Sequence, residues 1–206
     1  SVWQEAVFGF KYIFARPSLL GLQMVFFFGN LFLGILFTLL APMILARTDN
    51  NSLMFGTVQT AGAIAGVVGG LIMRAWGGFK RKVHGVLGGW AITGLGSAVI
   101  GLSFGLPAWV IGVAIASLIS PLVNASNQAI WQSKVAPDLQ GRVFSARRLI
   151  AWFTNPISPI VAGTLADYVL EPQMRAGGTL SQTFSWLVGT GPGSGMGLII
   201  LACGVF

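Results

Sequence analysis

Six amides and one carboxylate are the residues with which this chain could do chemistry in apolar surroundings. Gln23, Asn30, Gln59, Asn124, Asn127 and Asn155 each interrupt a run of aliphatic and aromatic residues, and Asp167 is the single acid so placed. An amide offers both a donor and an acceptor, so a group of them can hold a small polar-edged solute or simply tie helices together. A carboxylate in the same setting either meets water near an interface or exchanges a proton with a cavity, which makes Asp167 the candidate for proton coupling. Covalent chemistry lacks its parts. The stretch 189–197, GTGPGSGMG, is glycine-rich, but no lysine follows and no strand precedes it, so a flexible external loop is expected rather than a phosphate cradle. Ser194 has Pro192 rather than glycine two places before it, and the one histidine, His84, falls on the opposite side of the expected bundle. One histidine, one cysteine (Cys203) and five carboxylates leave no metal-ligand spacing and no internal disulfide. The expectation is a protein that is not an enzyme and uses no metal or cofactor.

The elements that must position these groups follow from composition. With 54% hydrophobic and only 8% charged residues, too little polar surface exists for a water-soluble globule, which points to an all-α, polytopic membrane helix bundle. A net charge of +7 would suggest nucleic acid in a soluble chain. Here the basic residues sit in short gaps between apolar runs, so the expected partner is the lipid bilayer and not nucleic acid. A helix needs about 20 apolar residues to cross the hydrocarbon layer. Such runs lie at 19–45, 53–73, 83–104, 106–130 and 149–170, and a sixth starts near Gly195 and is cut off at Phe206. The chain opens on Ser1 and stops inside an apolar run, which reads as a piece of a longer polypeptide.

Charge then orients the bundle. Lys11, Arg16, Arg74, Lys80, Arg81, Lys82, Lys134, Arg142, Arg147 and Arg148 fall on one side and only Arg47 and Arg175 on the other. By the positive-inside tendency the crowded side is cytoplasmic. Ahead of the first span, residues 1–18 form an expected cytoplasmic linker helix lying in the interface. Val2, Trp3, Ala6, Val7, Phe10, Ile13 and Phe14 share one arc of it, and Gln4, Glu5 and Lys11 stand opposite.

Small residues predict where helices touch, because lipid offers little hydrophobic drive for association. The ridges are Gly62, Gly66 and Gly70, then Gly85 and Gly89 with Gly101 and Gly105, then Gly112, Ala116 and Ser120. Pro42, Pro121, Pro156 and Pro159 lie within spans and are expected to bend them. Asn124, Asn127, Gln128 and Asn155 fall in the cytoplasmic half, where they either line one cavity mouth or hold two helices together.

Three passages carry a family resemblance: EAVFGFKYIFARPSLLGL at 5–22, GGLIMRAWGGFKRKVHGVLGGW at 69–90 and KVAPDLQGRVFSARR at 134–148. In order, polarity and spacing they resemble the carboxy-terminal six-helix half of a major facilitator superfamily transporter, similar to bacterial macrolide and siderophore efflux permeases. The resemblance implies a proton-driven antiporter of the bacterial inner membrane that exports a small, moderately apolar molecule. It also implies an amino-terminal six-helix half as partner. Spans one, two, four and five would then face a cavity lined by the candidate amides, with three and six at the periphery. Arg74, Gly77, Gly78, Lys80, Arg81 and Lys82, with Gly141 and Arg142 in the later loop, would form a cytoplasmic gate or topology anchor. The loop departs from the family pattern in having Met73 and Arg74 where an acid usually stands. The alternative from a different class is the membrane domain of another multi-pass protein, an intramembrane enzyme or a structural or assembly subunit.

Overall fold

The computed structural model describes residues 2–206, with side chains from residue 7 onward, and every regular element among the described residues is helical. The expected arc positions Val2, Trp3, Gln4, Glu5 and Ala6 lie outside the described side chains. Helix α1 (Val2–Phe14) leads into α2 (Pro17–Arg47), which Pro17 opens and which continues through Pro42. Its 31 residues make a rod of about 46 Å, longer than the ~30 Å hydrocarbon layer and therefore tilted or protruding. Asp49 and Asn50 turn the chain with φ of 50° and 61°, a region their short polar side chains tolerate. Asn51 then caps α3 (Ser52–Trp76) by accepting hydrogen bonds from the N–H groups of Leu53 (3.1 Å) and Met54 (3.3 Å).

Helix α4 (Lys82–Gly101) and helix α5 (Leu106–Lys134) follow. The third apolar run was expected to extend to 104, but the helix stops at Gly101 and Leu102–Gly105 connect it to α5. Gly105, with φ of +71°, is the residue before α5 and belongs to no ridge. The fifth run, expected as one helix over 149–170, is a composite rod that begins earlier. After a single 3-10 turn (Pro137–Leu139) come α6 (Gln140–Trp152), α7 (Thr154–Thr164), a π-helical segment (Leu165–Leu170) and the one-turn α8 (Glu171–Met174). The α6/α7 break has a local cause: Pro156 has no N–H to give the carbonyl of Trp152, four residues back, and its ring crowds that carbonyl. Two short helices complete the chain, α9 (Ser181–Val188) and α10 (Ser194–Val205).

The stretch expected as a flexible glycine loop is only partly a loop. Gly189 and Gly193 take φ of +79° and +81°, while Ser194–Gly197 form the first turn of α10 and Ser194, Gly195 and Gly197 are buried. Residues 134–148, expected as a loop, are largely helical. Val143 and Ala146 bury one face of α6 against α1, where a Cβ on Gly9 would stand 2.5 Å from the Arg142 carbonyl and 2.7 Å from Ala146 Cβ. Gly141 and Arg142 are therefore first-turn helix residues. The same contact rotates α1. Gly9 and Ile13 face the protein, and Val7 and Phe14 from the expected apolar arc remain exposed.

Five segments are long and apolar enough to cross a membrane: Pro17–Arg47, Ser52–Trp76, Lys82–Gly101, Leu106–Lys134 and Pro137–Met174. Their outer faces carry large apolar side chains such as Ile64, Val67, Leu95 and Ile160, all exposed. In water such a surface would aggregate; in lipid it is the solvated face. The chain is an all-helical membrane bundle.

Small residues set the closest contacts, though not all of those expected. On α3 the face toward α5 is Gly62, Gly66 and Gly69, with Gly69 against the Leu118 backbone, and Gly70 meets nothing within 4 Å. Helical geometry explains this. At about 100° per residue, a step of seven returns almost to the starting direction, whereas a step of eight overshoots by about 80°. Gly85, Gly89 and Gly96 pack α4 on Ser126, Val123 and Gly112 of α5, and Gly94, Gly101 and Ala98 receive α10 at Gly197 and Gly204.

Candidate functional site

Helix α2 presents Gln23, Phe26, Asn30, Leu33 and Phe37 at alternating steps of three and four, the spacing of one helical face. That face looks across to Ser117, Ser120, Asn124, Asn127 and Gln128 of α5, and two adjoining cavities lie between. One, of ≈ 350 Å³, is walled mainly by Phe26, Leu33, Phe37 and Trp90, with Asn30, Thr93 and Asn124 as polar points. The other, of ≈ 250 Å³, is polar and is lined by Gln23, Asn127, Gln128, Arg147 and Arg148. Phe26, Asn30 and Asn124 line both.

Local packing builds each wall. Trp90 stands edge-on to Phe26, with ring centres 5.5 Å apart, and its ring occupies the place a side chain on Gly29 would need. Asn124 donates from Nδ2 to the Ser120 carbonyl (3.0 Å) and hydroxyl (3.2 Å), one turn back on α5. Asn127 is 3% exposed, and its Oδ1 is buried without a hydrogen-bond partner among the described residues. Arg147 arrives from α6. Its Nη1 donates to Gln128 Oε1 at 2.9 Å, and the guanidinium lies 5.2 Å from the Trp131 ring centre and 5.7 Å from that of Phe144. Gln23, 1% exposed, donates from Nε2 to the Arg147 carbonyl at 3.3 Å and so pins α6 to α2.

Of the candidate amides, Gln23, Asn30, Asn124 and Asn127 are brought together here. Gln59 and Asn155 are exposed and line neither cavity. Asp167 is exposed on the π-helical segment, also outside both cavities. Trp90 and Thr93 come from the third span, so that span is not wholly peripheral to the cavity.

The basic loop is a separate feature. Gly77 and Gly78 take φ of +77° and +78°, reversing the chain after α3, and Lys82 donates to the Gly77 carbonyl at 3.2 Å. Trp76 and Phe79 close the turn edge to face at 4.8 Å, and Arg74, Lys80 and Arg81 are exposed around it. Arg142 lies 5.8 Å from the Phe8 ring centre, and Gly141 is exposed.

Sequence reasoning counted Arg147 and Arg47 only as topology charges. Arg147 turns out to be a wall of the cavity. Arg47, at the other end of α2, donates to the Leu102 carbonyl (3.1 Å) and the Val188 carbonyl (3.0 Å), tying the ends of α2, α4 and α9. Glu171 accepts from the Met196 N–H at 3.0 Å at the start of α10. Neither the Arg47 nor the Glu171 role has a local sequence signal, since each partner lies more than twenty residues away.

No family model matches the chain, and no solved structure matches it. Two curated relatives do: Macrolide efflux protein A of Streptococcus pyogenes and the protein of the same name from its serotype M6, each 27% identical over 105 residues. The match covers 50% of this chain and 26% of each relative. The chain thus combines five membrane-length helices with a cleft between α2 and α5, and it is similar over half its length to proteins named for efflux.

Proposed function

We propose that this chain is the carboxy-terminal six-helix half of a secondary active exporter of the major facilitator type, driven by protons and carrying a small, moderately apolar molecule. The observation that carries the reading is the cavity at Asn30 and Asn124, which lies among membrane-length helices and combines apolar walls with a polar end. The efflux function named for the two similar proteins supports it. In this reading an amino-terminal half supplies the opposing wall, and the two halves rock about the cavity. The loops bearing Lys80–Lys82 and the Arg142 turn face the cytoplasm in a bacterial inner membrane. Asp167, exposed on the π-helical segment, exchanges the coupling proton.

Transport by the whole protein in proteoliposomes tests this. With an imposed pH gradient, efflux of a fluorescent amphiphile should depend on the gradient and fall at least about tenfold in Asn30→Leu and Asn124→Leu. Unchanged rates in both variants would move the pathway out of this cavity. The present chain alone should insert without transporting. Full-rate transport by it would replace the half-carrier reading with a homo-oligomeric carrier.

A further inference from the structure

We propose that the two-part cavity selects an anionic amphiphile, an acidic head bearing an adjacent N–H or O–H donor and attached to an apolar body. The inference rests on the carrier reading and names its substrate class. Three observations carry it. First, the polar compartment is cationic: Arg147 and Arg148 line it, and no Asp or Glu stands among the described residues lining either compartment. Second, Arg147 is held ready. Its backbone is pinned by Gln23, its Nη1 by Gln128, and its face rests on Trp131 and Phe144. A guanidinium carries several further N–H donors suited to a carboxylate or phosphate edge.

Third, Asn127 lines this compartment nearly fully buried, with Oδ1 unpartnered among the described residues. A buried acceptor without a donor is costly, and a ligand N–H or O–H would satisfy it. The head thus meets positive donors on α6 beside a buried, unpartnered acceptor on α5. The body then extends past Asn30 and Asn124, which line both compartments, toward the apolar walls of Phe26, Leu33 and Trp90. A cationic head would meet two guanidinium groups and no counter-charge, which costs affinity.

Calorimetric titration of the whole protein in zwitterionic phosphatidylcholine nanodiscs tests the assignment. The probes are N-dodecanoylglycine, its methyl ester, dodecanoate and dodecyltrimethylammonium. N-dodecanoylglycine should bind at least about tenfold tighter than the ester or the cation. Arg147→Gln should weaken it about tenfold and Arg147→Lys, which keeps the charge but loses the guanidinium fork, by less, and the ester's affinity, unchanged in both, shows the cavity intact. Asn127→Leu should weaken N-dodecanoylglycine several-fold and leave dodecanoate, which has no amide N–H, unaffected. Equal or tighter binding of the cation, or an Arg147→Gln protein that binds the acid normally, overturns the proposal while gradient-driven transport still stands as the separate measure of the carrier reading. Binding of none of the four probes also overturns it.

Discussion

Gly96 of α4 and Gly112 of α5 face each other backbone to backbone: a Cβ on Gly96 would stand 2.7 Å from the Gly112 carbonyl, and one on Gly112 would stand 2.5 Å from the Gly96 carbonyl. The blocking atoms include backbone carbonyls, which cannot yield as the end of a flexible side chain would. Gly112→Ala should therefore destabilise the bundle by about 1–3 kcal/mol, the usual cost of overpacking. Gly70→Ala is the control, because nothing lies within 4 Å of that position and alanine favours the helix by about 1 kcal/mol. Denaturation midpoints in detergent should separate the two, and equal midpoints would show that the α4/α5 approach is not close.

Arg47 should matter for stability at the end of the bundle opposite the basic loops. Arg47→Met leaves the Leu102 and Val188 carbonyls without their donor, at an expected loss of about 2 kcal/mol. Glu171→Gln keeps an acceptor for the Met196 N–H and should lose about 1 kcal/mol or less. Thermal unfolding of both variants checks the order, and a larger effect in Glu171→Gln would refute the assignment.

Orientation can be read with cysteines. In a Cys203→Ser background, Lys80→Cys and Arg175→Cys each place a thiol at an exposed position. In intact cells an impermeant maleimide should label the cysteine at 175 and spare the one at 80, as the ten-to-two charge asymmetry requires. The opposite pattern inverts the topology.

Asp167 is exposed and has no side-chain hydrogen bond among the described residues, so Asp167→Asn should change stability by less than about 0.5 kcal/mol. If its carboxylate carries the coupling proton, the same variant flattens the dependence of transport on pH. A preserved pH profile with intact insertion would assign the coupling to another group.

Helical character and the five membrane-length apolar segments were legible in the sequence because length and apolarity are properties of each segment by itself. So was the line of polar residues on α2, since Gln23 and Asn30 share a face whatever lies opposite. Contacts between helices were not. Register and crossing angle choose Gly69 over Gly70, leave Gln59 and Asn155 outside the cavities, and bring Trp90 in from the third span. Those choices depend on how two surfaces interdigitate, which no single periodicity encodes. Helix α6 shows the limit most clearly. Its residues are polar enough to read as a loop, and it becomes helical where Val143 and Ala146 meet α1, which puts Arg147 over Trp131 and against Gln128. The sequence alone determined that a charge would be there; only the tertiary structure decided that it would become the wall of a cavity, because burial of that charge depends on partners from three separate helices.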